Sequence, residues 1–344
     1  MGPRLQDVSA RPVPGNLRDG SHVRGPLTAG ILLFAAACAT AGPVRLRAGD
    51  PPTGEEIDAA ERFADRGCRP PLAAFYPGLG HLSCGRRAEG RALVALGTLE
   101  LAGAAAGSIT RGPGSTAAQL PLLAFSDLLV ASTFDLVIDS HRAERLVFTP
   151  SESLTDLFAA PFDPRVLGDP LVLGGILGTL AVGLAVSRIV DGPISTQGFG
   201  QEPVIFGTQM HDSVGYPLAG ALGTALFVQV AAAEEVAFRG VMQSGLSRAY
   251  GETAGWAWAS LTFGLVHASN LPFVDRDKRL QYLYAGVPFI TVLGSYLGLA
   301  YRYGGYRLSK PVAVHFWYDF LIEAVAFVGD PKHSPLSASI GLRF

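Results

Sequence analysis

Long apolar runs broken by short islands of charge organise this chain. Seven such runs fall near positions 90–110, 117–139, 169–189, 214–233, 253–270, 283–301 and 309–329. A helix needs about 20 mostly apolar residues to cross the hydrocarbon of a bilayer, so each run predicts a membrane span. Gly and Ala are frequent inside them, as close helix packing in lipid requires. An earlier run, Leu27 to Ala41, follows Arg24 and ends at Gly42-Pro43. It reads either as the apolar region of a signal peptide, with small residues Ala35 to Ala41 near a cleavage site, or as a short first anchor. The expected fold is all-α: a polytopic transmembrane helical bundle of about seven or eight spans, with its chemistry inside the membrane.

The polar segments divide the chain further. Residues 1–23 are rich in Pro, Gly, Arg and Ser and predict a disordered tail. Thr53 and Glu56 make a capping-box pattern ahead of Ile57, Ala60, Phe63 and Ala64 on one face, which predicts a short amphipathic helix ending at Gly67. The stretch Phe75-Tyr76-Pro77-Gly78-Leu79-Gly80-His81, with Gly85 and Gly90 after it, resembles the Pro-Gly-x-Gly hairpin of several small families of bacterial membrane proteins. Its glycines serve turning and close packing, and His81 reads as a capped interfacial histidine rather than a ligand. Polar residues Asp139, His141, Arg142, Glu144 and Arg145 open a segment reaching to 168, and Asp275-Arg276-Asp277-Lys278-Arg279 makes a charged loop. Lys and Arg do not sort onto alternate loops, so the positive-inside rule gives no orientation. The last residues, Ala338 to Phe344, alternate like the closing strand of an outer-membrane barrel, but one strand closes no barrel. No internal repeat is visible. The organisation expected is a tail with a signal-like or anchor segment (1–42), a polar and amphipathic segment with the hairpin (43–89), N-terminal membrane helices (90–200), a catalytic core (201–329) and a tail (330–344).

Composition sharpens the picture. Of 344 residues 49% are hydrophobic and 16% charged, against about 25% charged in an ordinary soluble domain. The net charge of -2 gives a nucleic-acid partner no support. Cys38, Cys68 and Cys84 show no C-x-x-C spacing, which argues against a thiolate zinc site. Cys68 and Cys84 would pair in an oxidising compartment, but isolated thiols are the expectation. Cys38 follows three alanines, as in a lipoprotein cleavage box, yet Ala35 stands where leucine is usual, and lipidation is not expected.

Three short patterns on the last spans carry candidate chemistry. They are Glu234-Glu235-Val236-Ala237-Phe238-Arg239, Phe263-Gly264-Leu265-Val266-His267, and His315-Phe316-Trp317-Tyr318-Asp319. Paired glutamates beside hydrocarbon are costly without partners. Glu235 and Arg239 stand i, i+4 with the acid first, the better order for an ion pair. Glu234 points about 100° round the helix from Glu235 and lacks that partner, which suits a general base. Phe263 shares a face with His267, and His315 with Asp319, so both imidazoles can project into one cavity and hold a water against a peptide carbonyl. Each pattern also has a plainer reading. Glu235 with Arg239 is equally a structural ion pair, and Phe263 and Trp317 are equally packing residues.

Glu-Glu-x-x-x-Arg, Phe-x-x-x-His and His-x-x-x-Asp, in this order, resemble the CPBP (CAAX protease and bacteriocin-processing, or Abi) family of membrane proteases, over roughly the last 130 residues. The resemblance implies an all-helical membrane core around a conical cavity. It also implies that Glu234 activates water with His267, that His315 and residue 319 stabilise the oxyanion, and that Glu235, Arg239 and Phe263 support them. Asp319 departs from the more usual Asn. An ionised aspartate repels an oxyanion, so it acts protonated or orients His315.

The expected function is intramembrane endopeptidase, acting on a peptide or protein substrate at the bilayer, in a bacterial inner membrane. Glu234, His267 and His315 also form a two-His, one-carboxylate set compatible with zinc. No H-E-x-x-H is present, so the expectation is no required cofactor, with a divalent metal kept open. Two alternatives stand beside the peptidase: a non-enzymatic interaction or immunity protein that kept the fold, and a proton-coupled transporter.

Overall fold

Each of the seven runs becomes a helix close to its expected bounds. The computed structural model describes residues 68–143, 149, 152–190, 198, 200–274 and 276–332, all within the unit Gly42–Phe344. The expectations for 1–67 (tail, signal-like or anchor run, Cys38, amphipathic helix), for Glu144, Arg145 and Asp275, and for 333–344 lie outside the described residues.

A 3₁₀ turn, Pro70–Ala74, leads into the short helix α1, Leu79–Ser83. The long helices α2, Arg87–Arg111, and α3, Thr116–Ala143, pack against each other as a hairpin. Short helices α4, Leu154–Ala159, and α5, Pro164–Leu167, connect to α6, Pro170–Val190. A two-residue antiparallel pair, β1 (Val204–Ile205) with β2 (Thr208–Gln209), precedes α7, Asp212–Glu235. The helix continues without a break through a π-helical stretch, Val236–Gln243, into α8, Ser244–Tyr250. Then come α9, Glu252–His267, a 3₁₀ turn at Ala268–Phe273, α10, Arg279–Gln281, a second π-helical stretch, Tyr282–Gly286, α11, Val287–Tyr303, and α12, Ser309–Gly329.

Six of these helical stretches are long and apolar enough to cross a membrane: Arg87–Arg111, Thr116–His141, Pro170–Arg188, Asp212–Tyr250, Arg279–Tyr303 and Ser309–Gly329. Helix α9, expected as a seventh span, has 16 residues and falls short of one. Large apolar side chains point outward from the bundle, among them Leu99, Ile109, Leu177, Leu261 and Val292. Water would penalise such a surface, whereas lipid matches it. The protein is an integral membrane helical bundle.

The start of the described chain is a tied-down corner. Gly78 has φ +84°, and a Cβ there would sit 2.3 Å from the Gly90 carbonyl oxygen, so only glycine fits this turn. The cap that the sequence suggested for His81 comes from inside the bundle. His81 is buried, with Nε2 3.0 Å from Asp135 Oδ2 on α3. Arg86 joins the same group, reaching Asp135, Asp139 (2.9 Å) and Glu89. Although His81, Glu89 and Asp135 hold ligand atoms within 4.8 Å of one another, the guanidinium among them already supplies the positive charge. The group is an ion-paired clamp of α1 and α2 onto α3. Cys68 and Cys84, expected as separate thiols, form a disulfide. Helix α1 turns back against the 3₁₀ turn, and Ser83 Oγ accepts the Arg69 N–H at 3.0 Å, which brings the two cysteines side by side.

Asp169 closes another corner. Its Oδ1 accepts the Leu171 N–H at the start of α6 (2.9 Å) and its Oδ2 pairs with Lys310 of α12 (2.6 Å). The hydrogen bond from Lys310 holds the Asp169 carboxyl below its ordinary range. A depressed carboxylate stabilises the fold fully above its unfolded value of about 3.9 and loses that contribution as pH falls through the lower folded value. Asp169→Ala should therefore lower unfolding free energy by ~1–2 kcal/mol near neutral pH, through the lost helix cap and ion pair. The gap from wild type should close below about pH 4, as read from detergent unfolding curves across pH.

Candidate active site

The π-helical stretch begins one residue after Glu235. A π-helical turn widens the backbone spiral and re-aims the side chains that follow it, and such turns are frequent at functional sites. Here it presents Arg239 and Gln243 to α11. Arg239 donates to the Gly294 carbonyl at 2.8 Å, and Gln243 donates to the Gly298 carbonyl at 2.9 Å, so donors four residues apart meet carbonyls four residues apart. Arg239 also donates to Glu235 Oε1 at 3.0 Å, and its guanidinium carbon lies 4.3 Å from the centre of the Phe263 ring. The expected i, i+4 pair is thus present and almost wholly buried, at 1% and 0% side-chain exposure.

Phe263 is more than filler. Its ring carries the Arg239 cation, sits 4.8 Å from the His267 ring and 6.0 Å from the His315 ring, and meets Phe238 edge-on. It spaces the two imidazoles. Next to it, Gly264 lets α9 lie directly on α11. A Cβ there would fall 1.8 Å from Thr291 Oγ1 and 3.0 Å from Thr291 Cα. Gly264→Ala should push α9 away from α11, cost ~1–3 kcal/mol of stability and displace His267. Unfolding and peptide cleavage measured together on this variant check both effects.

The two histidines are held in defined orientations. His267 Nδ1 lies 2.7 Å from the Phe263 carbonyl, so it donates there and leaves Nε2 facing the cavity. His315 Nδ1 donates to Glu235 Oε1 at 2.8 Å, which likewise turns Nε2 into the cavity. Both Nε2 atoms face the Glu234 carboxylate, at 3.9 Å from His267 and 3.7 Å from His315. Asp319 Oδ2 stands 3.3 Å from His315 Nε2. Glu234 and Glu235 point apart, as their spacing predicts: Glu235 is sealed in the bundle, whereas the Glu234 side chain keeps 27% exposure.

Most of these groups meet one cavity of about 70 Å³. Glu234, Phe263, His267, His315 and Asp319 line it, while Glu235 and Arg239 stand behind the wall. Its remaining wall includes residues that the sequence patterns did not single out. Tyr282 donates from its hydroxyl to the His267 carbonyl at 2.9 Å, fixing the end of α9, and Asn270 donates to Tyr282 at 3.4 Å. Glu323 lines the cavity further along α12 and is 5% exposed. Its position, i+4 from Asp319 and i+8 from His315, was the available signal. Two further membrane acids, Glu100 of α2 and Asp127 of α3, lie on the α7 side, with Asp127 within electrostatic reach of Glu234.

The set can hold a small polar molecule between one carboxylate and two imidazoles whose tautomers are fixed from behind. No curated protein and no solved structure matches the chain. Residues 217–321, which carry Glu234, Glu235, Arg239, Phe263, His267, His315 and Asp319, match the family model described as type II CAAX prenyl endopeptidase Rce1-like, which supports the resemblance of this segment to the CAAX-protease (CPBP) family.

Proposed function

We propose that the protein is an intramembrane endopeptidase in which Glu234, acting with His267, activates a water molecule. One observation carries the reading: inside the helical bundle, the Nε2 atoms of His267 and His315 both face the Glu234 carboxylate at 3.9 and 3.7 Å. These separations exceed a direct hydrogen bond and suit a water held between the groups. Glu234 takes the proton of that water as it attacks the peptide carbonyl, and passes it on to the leaving amine. His315, in its cationic form, offers Nε2–H to the oxyanion. Asp319 and Glu235 orient His315 from its two nitrogens, so Asp319 acts here through the imidazole rather than on the oxyanion directly. Arg239 holds Glu235 in place.

The donor set was weighed against a metal. Two imidazoles with fixed Nδ1 atoms and a carboxylate are a chemically suitable zinc set. Yet among the described residues the one trio of ligand atoms within 4.8 Å of one another is His81, Glu89 and Asp135, so Glu234, His267 and His315 are not drawn as tightly together. If bound there, a divalent ion would supply Lewis acidity to the water and the carbonyl. The wider spacing favours glutamate-activated water without it.

The substrate is a peptide or protein segment reaching the bilayer. The family's name speaks of prenylated substrates, and a prenyl group is not required by this reading. The Cys68–Cys84 disulfide supports a membrane with one face on an oxidising compartment, such as the bacterial cell membrane. The test is hydrolysis of membrane-proximal peptides, scored by mass spectrometry, in wild type against Glu234→Gln. Equal products from the two proteins would sink the role of Glu234.

A further inference from the structure

The cavity is acidic beyond what water activation needs. Glu234, Asp319 and Glu323 line it together with apolar side chains such as Phe227, Val230 and Leu293, and among its described lining residues none is Lys or Arg. Arg239 is buried and engaged by Glu235 and the Gly294 carbonyl, so it offers no charge to a bound chain.

Helix α12 sets the scale. At about 1.5 Å rise per residue, Asp319 lies ~6 Å and Glu323 ~12 Å along the helix from His315. An extended peptide advances about 3.4 Å per residue. A chain whose scissile carbonyl sits at His315 and which runs along α12 therefore reaches Glu323 about three to four residues from the cleaved bond. In a wall of low dielectric, a carboxylate there attracts an ammonium or guanidinium and repels another carboxylate.

Resting on the peptidase reading, we propose that Glu323 is a specificity-determining residue. It selects peptides bearing Lys, Arg or a free amine about three to four residues from the cleaved bond. It selects against peptides whose own C-terminal carboxylate falls there.

The test uses the full-length protein in lipid nanodiscs and one apolar peptide sequence. Lys, norleucine or Glu is placed in turn at each position from one to five either side of a central bond, and a further peptide ends in a free carboxylate at the Glu323 distance. Wild type should cleave the Lys peptide about tenfold better than the norleucine peptide at the third or fourth position, and the Glu and carboxylate-ending peptides about tenfold worse. Glu323→Gln should collapse this discrimination to roughly twofold or less, Glu323→Lys should reverse it, and Glu323→Asp should keep most of it. A purely structural role would not track charge in this way. Binding of the Lys and norleucine peptides to the Glu234→Gln protein gives the same comparison without turnover.

A preference that is flat in wild type, confined to positions beside the cleaved bond, or unchanged in Glu323→Gln overturns the subsite while leaving Glu234-dependent cleavage standing. A Lys preference in binding without any Glu234-dependent cleavage supports the subsite and overturns the peptidase reading. Neither cleavage nor preference overturns both.

Discussion

Glu234→Gln protein, assayed on a peptide that wild type hydrolyses, loses about 10³-fold or more in kcat/KM while its unfolding curve stays close to wild type. The substitution keeps the shape and removes only the basic oxygen. The structure explains why the fold should tolerate it. Glu234 contributes to no buried ion pair of the kind that locks Glu235 to Arg239, and its side chain retains 27% exposure on the cavity side. Losing a general base typically removes 10²–10⁴-fold, or ~3–5 kcal/mol of transition-state stabilisation. Here the amide also cannot receive the proton meant for the leaving amine, which places the expected loss in the upper part of that range. A chelator added to wild type separates two routes. Activity unchanged by chelation fits water activated by Glu234 and His267. Activity lost on chelation and restored by zinc transfers the activation to an ion held by Glu234, His267 and His315. Full activity in the Gln variant would remove Glu234 from the chemistry altogether.

Much of this arrangement was legible in the residues. Apolar runs fix helices because every backbone group in hydrocarbon must be satisfied within its own segment, so length and apolarity were enough to place α2, α3, α6, α7, α11 and α12. The i, i+4 spacings placed Glu235 with Arg239 and His315 with Asp319 because helical periodicity leaves no other geometry. What escaped were facts of tertiary contact. The 16 residues of α9 looked like a span because apolar residues continued into Ala268–Phe273, where the chain is 3₁₀ and passes Pro272. The partner of His81 was invisible in the sequence because Asp135 lies 54 residues away on α3. The disulfide was undervalued for a similar reason, since nothing local to Cys68 shows that α1 turns back to bring Cys84 beside it. Tyr282 sits at the edge of a charged loop, and only the fold reveals that its hydroxyl holds the His267 carbonyl.

Arg239→Ala should be the most damaging change to stability, at ~3–5 kcal/mol or a fall in Tm on the order of 10 °C. The guanidinium is 1% exposed and serves three partners: the Glu235 carboxylate, the Gly294 carbonyl and the face of Phe263. Truncation leaves a fully buried carboxylate facing His315 Nδ1 at 2.8 Å without the guanidinium, and an α11 carbonyl without its donor. Arg239→Lys keeps the charge but cannot reproduce the planar fork that reaches a carboxylate and a carbonyl at once, so an intermediate loss is expected. The informative comparison is the double variant Arg239→Met with Glu235→Leu. Replacing both members of a buried pair with apolar side chains is often close to neutral, so stability should recover well above either single variant. Activity should not recover with it. The double variant still lacks the carboxylate that receives His315 Nδ1–H, and a ring held from the Asp319 side alone no longer fixes Nε2 beside Glu234. Unfolding and peptide cleavage measured on all four proteins of the cycle therefore separate what the pair does for the fold from what it does for the histidine. If stability and activity recover together, the Glu235–Arg239 pair is structural only. If neither recovers, the cost lies in packing around Phe263 rather than in the pair's charges.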